Sequence, residues 1–113
     1  MRLLKRGIEA SPSGIVMVDA LHPEMLMVYA NPVFSEITGY THSDIVGHSW
    51  HVLNGENTSP EAVETIDRGL RHQTKINVEL INYRKDGTPF WNHLRVSPVF
   101  DTEGLCTHFI GTL

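Results

Sequence analysis

The sequence predicts an α+β fold, in which one antiparallel sheet carries short helices over one of its faces. Two apolar segments near the N-terminus and alternating segments in the last third of the chain have the pattern of β-strands. Between these groups, an Asn-Pro step and a Ser-Pro step are typical helix starts. Strands, then helices, then strands again form an α+β order, and one sheet covered on one face is the simplest arrangement.

The N-terminal part of the domain is predicted to contain two strands, Ile15–Val18 and Met25–Ala30, which are apolar runs separated by a Pro-containing turn. Residues 1–10 combine helix-forming residues with a small basic cluster, and a Ser-Pro-Ser-Gly breaker follows them. So short a helix is marginal alone. We therefore predict that residues 1–10 are the remnant of a connecting helix and that residues 11–113 form the domain.

The central part of the chain is predicted to form helices. The segment 31–39 begins with an Asn cap followed by Pro, and the segment 41–47 begins with a Thr-x-x-Asp capping box. Each of these two segments ends at a glycine, which favours helix termination. The longest helix, residues 59–72, begins at Ser-Pro and has an apolar face formed by Val63, Ile66 and Leu70.

The C-terminal part of the chain is predicted to form three antiparallel strands, Lys75–Tyr83, Phe90–Val99 and Leu105–Leu113. The turn Arg84–Gly87 has Asp-Gly at its tip, which is a strong hairpin signal, and Asp101–Gly104 forms the second turn. These strands supply the larger part of the predicted sheet.

Two asparagines are predicted to face the apolar side of this sheet. Asn82 shares the parity of the aliphatic residues before it, and Asn92 shares the parity of Phe90 and Leu94. A buried amide without partners costs about 1–3 kcal/mol, so both need a bonding partner. One interpretation is a ligand with a mixed donor and acceptor edge; the other is that the amides bond each other, the helix backbone or water.

Composition restricts the function classes. The chain has 113 residues, of which 41% are hydrophobic and 19% charged, which fits one globular domain. A net charge of −4 argues against a nucleic-acid partner. No secretory signal and no apolar run of about 20 residues is present, so we predict a cytoplasmic location and no membrane contact. No catalytic motif stands in a convincing context, and we predict that the domain is not an enzyme.

Three segments carry a resemblance to a known family: residues 31–40 (Asn-x-x-Phe-x-x-x-Thr-Gly-Tyr), residues 80–92 (Leu-Ile-Asn-Tyr-Arg-Lys-Asp-Gly-Thr-Pro-Phe-Trp-Asn) and residues 109–111 (Phe-Ile-Gly). They resemble PAS domains, and within these the LOV (light, oxygen, voltage) subgroup. The resemblance runs from about Ile8 to Leu113. It implies a five-stranded antiparallel sheet in the order 2-1-5-4-3, with helices that form a ligand pocket over one face.

The resemblance also implies a ligand, because LOV domains bind FMN through two strand asparagines that contact the pyrimidine edge of the flavin. The matching positions are Asn82 and Asn92, the residues that the strand parity also singles out.

The segment that resembles the photoactive motif departs from the family. The family reads Asn-Cys-Arg-Phe-Leu-Gln, whereas residues 49–54 read Ser-Trp-His-Val-Leu-Asn. Trp50 stands at the position of the reactive cysteine, and an indole cannot form a cysteinyl–flavin adduct. His51 and Asp67 stand where the family has arginines that bind the FMN phosphate. Leu113 stands where the family has a glutamine that reports flavin chemistry to the sheet.

The candidate ligand site therefore comprises Asn82, Asn92, Asn54, Trp50, His51 and Leu113. In one interpretation the Trp50 indole stacks on a ligand ring; in the other it fills the pocket, as indoles in protein cores do more often. The corresponding alternatives for the cofactor are a non-covalently bound flavin (FMN, FAD or riboflavin), another small molecule, or no ligand.

Neither Cys106 nor a cluster of histidines is predicted to supply a reactive thiol or a metal site in the pocket. Cys106 is the single cysteine, and it lies on the opposite parity to Leu105, Phe109 and Leu113, so we expect it to face away from the pocket. The seven histidines lack acidic or thiolate companions at ligand spacing, which predicts surface residues and no metal site.

The outer face of the sheet is predicted to be an interface. Ile81, Tyr83 and Trp91 form an apolar row on this face, which is unusual for a surface in free solvent. PAS domains commonly use this face for dimerisation or for a flanking helix, so we expect a homodimer through the sheet face or the N-terminal helix.

Two functional hypotheses follow. The first is a sensory or signalling LOV-like PAS domain without cysteinyl–flavin photochemistry. It would be the input or interaction module of a larger protein with a C-terminal output domain, such as a histidine kinase, a cyclic-dinucleotide enzyme or a transcription regulator. The alternative is a ligand-free dimerisation or protein-interaction module.

Overall fold

The computed structural model describes residues 12–113, so the predicted connecting helix of residues 1–10 lies outside the described residues. In chain order the elements are β1 (Ile15–Asp19), β2 (Met27–Ala30), α1 (Pro32–Thr38), α2 (His42–Ile45), the 3-10 helix η1 (Trp50–Leu53), α3 (Pro60–His72), β3 (Ile76–Tyr83), β4 (Pro89–Phe100) and β5 (Cys106–Thr112). Every predicted strand and helix within these residues is present. The helix η1 was not predicted, because a four-residue segment has too little periodicity to be identified.

The strands form one antiparallel sheet in the order β2-β1-β5-β4-β3. This confirms the predicted α+β class and the strand order that the resemblance implied. The first strand pairs with the last one, and the backbone N–H of Leu113 donates to the carbonyl of Gly14 at 2.9 Å. The two ends of the described segment therefore lie side by side.

The predicted helix caps are present, and one of them also organises the sheet. The Asn31 Oδ1 accepts hydrogen bonds from the backbone N–H of Phe34 at 2.9 Å and of Ile15 at 2.8 Å. Its Nδ2 donates to the carbonyl of Ser13 at 2.9 Å. One fully buried side chain therefore caps α1 and fixes the start of β1.

The hydrophobic core lies between one face of the sheet and the helices. Phe34 of α1, Ile66 of α3 and Phe109 of β5 are among its most deeply buried side chains. The helix α3 approaches β3 closely at Gly69, where a Cβ would overlap the side chain of Ile76. Within the described residues, no helix has the length and apolar character needed to cross a membrane.

Strand β2 begins two residues later than the sequence predicted. Met25 has a φ of 48° and its N–H donates to the carbonyl of His22 at 2.9 Å, so it belongs to the preceding turn. A hydrophobic side chain alone does not distinguish the last residue of a turn from the first residue of a strand.

The strict alternation from which the orientation of Cys106 was predicted fails at the start of β5, although Cys106 does not line the cavity between the sheet and the helices. Leu105 is exposed, whereas Cys106 is buried and belongs to the hydrophobic core. The register between β4 and β5 shifts at this point: Val99 pairs with His108, whereas Phe100 pairs with Cys106. Such an irregularity breaks the alternation of faces, and the strict period of two therefore fails at the start of β5.

Candidate functional site

Two asparagine side chains lie on the core face of the sheet, as the alternation in β3 and β4 predicted. Asn82 is 1% exposed and Asn92 is 3% exposed. The Asn92 Nδ2 donates to the Asn82 Oδ1 at 2.8 Å, and the Asn82 Nδ2 donates to the Asn54 Oδ1 at 3.0 Å. The three amides thus form a hydrogen-bonded chain that offsets the cost of burying them.

A cavity of about 40 Å³ lies between this chain of amides and the helices. Most of its lining is aliphatic and comes from the sheet, η1 and α3. Four of the candidate site residues also line this cavity: Asn82, Asn92, Trp50 and Leu113. The volume has room for only a few water molecules.

The indole of Trp50 occupies the core space between η1 and the sheet. Trp50 is 8% exposed, and its Nε1 is buried without a hydrogen-bond partner among the described residues. The helix η1 is capped by Ser49, whose Oγ accepts from the backbone N–H of His51 at 3.3 Å. This cap fixes the start of η1, and the indole at its first position points inward.

The side chain of His51 lies outside the core, against the indole, with the ring centroids of Trp50 and His51 4.4 Å apart. The His51 Nδ1 is 2.6 Å from the Ser49 Oγ, and the His51 Nε2 is 3.2 Å from the Asp67 Oδ1 on α3. These residues line a surface cleft of about 450 Å³. The carboxylate of Asp67 makes this part of the cleft unfavourable for an anion.

A family comparison identifies the fold. A family model described as a PAS domain matches residues 12–113, which are all of the residues that the structure describes. The chain belongs to the PAS domain family.

Relatives of this PAS domain occur in several longer proteins. The chain is 35% identical over 98% of its length to blue-light-activated histidine kinase 1 of Erythrobacter litoralis and covers 31% of that protein. It is 36% identical over 96% of its length to phototropin-1A of Oryza sativa, of which it covers 12%. It is 34% identical over 97% of its length to the bacterioopsin transcriptional activator of Halobacterium salinarum, of which it covers 16%. The chain therefore spans less than a third of each of these relatives.

Solved structures assign the PAS domain to the LOV type. The LOV domain of the Erythrobacter litoralis EL346 blue-light-activated histidine kinase superposes with a TM-score of 0.86 at 34% identity. That match covers 90% of this chain and 94% of the other. A LOV domain studied with a flavin analogue superposes with a TM-score of 0.90 at 35% identity, and the match covers 99% of this chain and 82% of the other.

A flavin does not fit between the sheet and the helices of this PAS domain as they stand. Ligand pockets usually have volumes of about 300–1,000 Å³, whereas the core cavity has about 40 Å³, and the buried Trp50 indole forms part of its wall. The Asn82 and Asn92 amides bond each other, and His51 contacts the carboxylate of Asp67. No cationic pair for a phosphate is present at these two positions.

Three residues were predicted to form an apolar row on the outer face of the sheet, and one of them is much more exposed than the other two. Trp91 is 71% exposed, whereas Ile81 and Tyr83 are partly buried. The Tyr83 hydroxyl accepts from the backbone N–H of Asn57 at 2.8 Å, and its ring packs directly against Gly55. Tyr83 is therefore partly engaged within its own domain, and Trp91 is the main apolar side chain that this row presents to solvent.

Two contacts around the site were not predicted from the sequence patterns. The loop 55–58 covers the edge of β3, where the Thr58 Oγ1 donates to the carbonyl of Ile81 at 2.6 Å. The contact between His51 and Asp67 joins η1 to α3 across sixteen positions. The one signal for this loop in the sequence was the glycine at position 55. The structure explains this glycine, because a Cβ there would overlap the Tyr83 ring. No local pattern pairs His51 with Asp67; the one signal was the resemblance, which places both residues at positions that bind the same phosphate in the family.

Proposed function

We propose that this LOV-type PAS domain is the sensory or interaction module of a larger signalling protein and that it does not carry out cysteinyl–flavin photochemistry. Its relatives include light-activated histidine kinases and a transcriptional activator, each much longer than this chain. A C-terminal output domain and a cytoplasmic location are parts of this proposal. The described domain offers no catalytic constellation, so its role would be to transmit a state rather than to turn over a substrate.

The observation that carries the proposal is the buried indole of Trp50 at the position that resembles the reactive cysteine. The single cysteine of the chain, Cys106, is buried at the start of β5, and it does not line the cavity beside Asn82 and Asn92. Formation of a thioether to a flavin requires a cysteine sulfur next to the ring. Neither residue provides one there.

Of the two states that the sequence left open, the geometry favours a filled pocket without a flavin. The indole occupies the volume, the amides satisfy one another, and a carboxylate stands beside the position of a phosphate group. In this interpretation the signal arises from association or from a change in the partner rather than from a chromophore.

The absorbance of the freshly purified protein tests the proposal. Expressed in a flavin-producing host, the wild type is expected to be colourless, with no absorption band in the visible range. A yellow protein would contradict the filled pocket, and a thermally reversible bleach with a covalent flavin mass under blue light would contradict the whole proposal.

A triple variant, Trp50→Cys with His51→Arg and Asp67→Arg, is the matched gain-of-function experiment. It removes the indole, supplies a nucleophile and replaces a repulsive charge by attractive ones. We expect a yellow protein with partial light-driven adduct formation. The control keeps Trp50 and changes only His51 and Asp67; it should stay colourless if the indole excludes the ring. A folded, colourless triple variant would show that the amides serve internal hydrogen bonding alone.

A further inference from the structure

A second cleft, of about 430 Å³, lies on the surface between the C-terminal half of α3 and the start of β3. Its volume is within the range of small-molecule sites. The polar side chains that line it are Thr65, Arg68, His72, Thr74, Lys75 and Asn77. None of the residues that line this cleft is acidic, although the whole chain has a net charge of −4.

The two permanent cations of this cleft keep most of their hydrogen-bonding capacity. Lys75 has no ion pair among the described residues. Arg68 Nε lies 3.9 Å from the Glu64 Oε1, but Arg71 Nη2 bonds the same oxygen at 3.1 Å. The closer arginine takes that carboxylate, so the Arg68 guanidinium retains donors for another acceptor.

The walls of this cleft are held in place by the backbone. Gly69 lets α3 approach β3, because any Cβ there would overlap Ile76. Gln73 has a left-handed φ of 58°, and the N–H groups of Gln73 and Thr74 donate to carbonyls in the last turn of α3. Those carbonyls are satisfied, so the negative end of the helix is less exposed to an anion in the cleft.

Asn77 contributes a neutral donor at the far side of the cleft. Its Oδ1 lies 2.6 Å from the His93 Nε2, which engages the carbonyl end of the amide. The Nδ2 end of the same amide has no hydrogen-bond partner among the described residues and remains for an acceptor, and Lys75, two residues earlier on the chain, lines the same cleft.

We propose that this cleft binds a small phosphate-bearing solute, with Arg68 and Lys75 as the charged anchors and Asn77 as a neutral donor. A guanidinium matches two phosphate oxygens with a planar pair of N–H groups, and an ammonium group adds a compact charge. A solute with several negative charges satisfies both cations at once. This site is separate from the core cavity, and the proposal does not depend on the proposed function.

Amide NMR spectra of the 113-residue chain, recorded at low ionic strength, test the site with pyrophosphate as the probe. We expect shift changes concentrated in residues 65–77 and saturable binding that is stronger than that of sulfate at equal ionic strength. Arg68→Gln and Lys75→Gln should each weaken binding about fivefold or more, since each removes a charge-assisted hydrogen bond. Lys85→Gln removes an equal charge elsewhere and should change the affinity less than about twofold.

Several results would overturn the proposal. Equal losses in Lys85→Gln and Lys75→Gln would show that pyrophosphate responds only to overall charge. Shift changes spread over all the basic residues would show the same. Because a lipid headgroup presents the same phosphate chemistry, cosedimentation with phosphatidic acid vesicles is the second arm. Binding to vesicles or to a glutamate-rich peptide, without binding of pyrophosphate, would exclude a small solute as the ligand.

Discussion

The β3–β4 hairpin and the helical wall opposite it surround the same cavity, but they relate differently to the LOV pattern. The hairpin keeps both inward asparagines, whereas the wall carries Trp50, His51 and Asp67 where the resemblance implies a thiol and two cations. In the hairpin the two amides hydrogen-bond each other, and Asn82 also bonds Asn54, so both asparagines have partners within the fold. Hydrogen bonding within the fold therefore accounts for the two asparagines of the hairpin without a ligand.

The largest expected effect comes from removing the indole on the helical wall. Trp50→Ala should destabilise the domain by about 3–5 kcal/mol, because a large buried ring leaves a cavity. The matched control, Trp91→Ala, removes an exposed indole and, at protein concentrations low enough to keep the domain monomeric, should cost about 0.5 kcal/mol or less. Urea unfolding of both variants measures the difference. Similar losses for the two indoles would mean that Trp50 does not fill the core.

The second prediction concerns the amides of the hairpin. Asn82→Ala removes the acceptor of the Asn92 amide and should cost about 1–3 kcal/mol, because a buried donor loses its partner. The double change Asn82→Leu with Asn92→Leu should cost clearly less than the sum of the single changes, since both polar partners disappear together. A double-mutant cycle from unfolding curves gives the coupling. Additive costs would argue that each amide serves a separate ligand contact.

The third prediction tests the outer face of the same hairpin. We expect the domain to self-associate through the face that exposes Trp91, and Trp91→Glu to shift it toward the monomer in sedimentation velocity. Phe100→Glu is the control, because Phe100 is also an exposed apolar residue of β4 but lies near its far end. A wild type that is already monomeric, with an unchanged profile in the variant, would contradict this prediction.

The smallest expected effect concerns the contact that joins the hairpin turn to α2. Hydrogen bonds from the Thr41 backbone and from Lys85 hold the pKa of Asp44 at about 2, below its usual value of 3.8. Because the pKa of Asp44 is lower in the folded state, its ionised carboxylate stabilises the fold fully above about pH 4. This stabilisation is lost as the pH falls toward 2. Thermal unfolding of the wild type and Asp44→Asn across this range should converge at low pH. A constant difference would mean that the charge of Asp44 plays no part.

The sequence by itself determined the order of the elements, because local patterns carry that information. Alternating strands, the Asp-Gly turn and the Asn, Thr and Ser caps act over a few residues, and the structure contains each of them. The inward direction of Asn82 and Asn92 followed from the period of two along regular strands. The same rule failed at Cys106, where a register shift between β4 and β5 interrupts the period.

Only the tertiary structure decided what the inward residues do. Asn54 is 28 residues from Asn82 along the chain, and Asp67 is 16 residues from His51, so no local pattern could pair them. Whether Trp50 stacks on a ligand or fills the core depends on the volume that the sheet and α3 leave between them. That volume is a property of packing distances, such as the close approach of Gly69 to Ile76, and local sequence does not encode these distances directly.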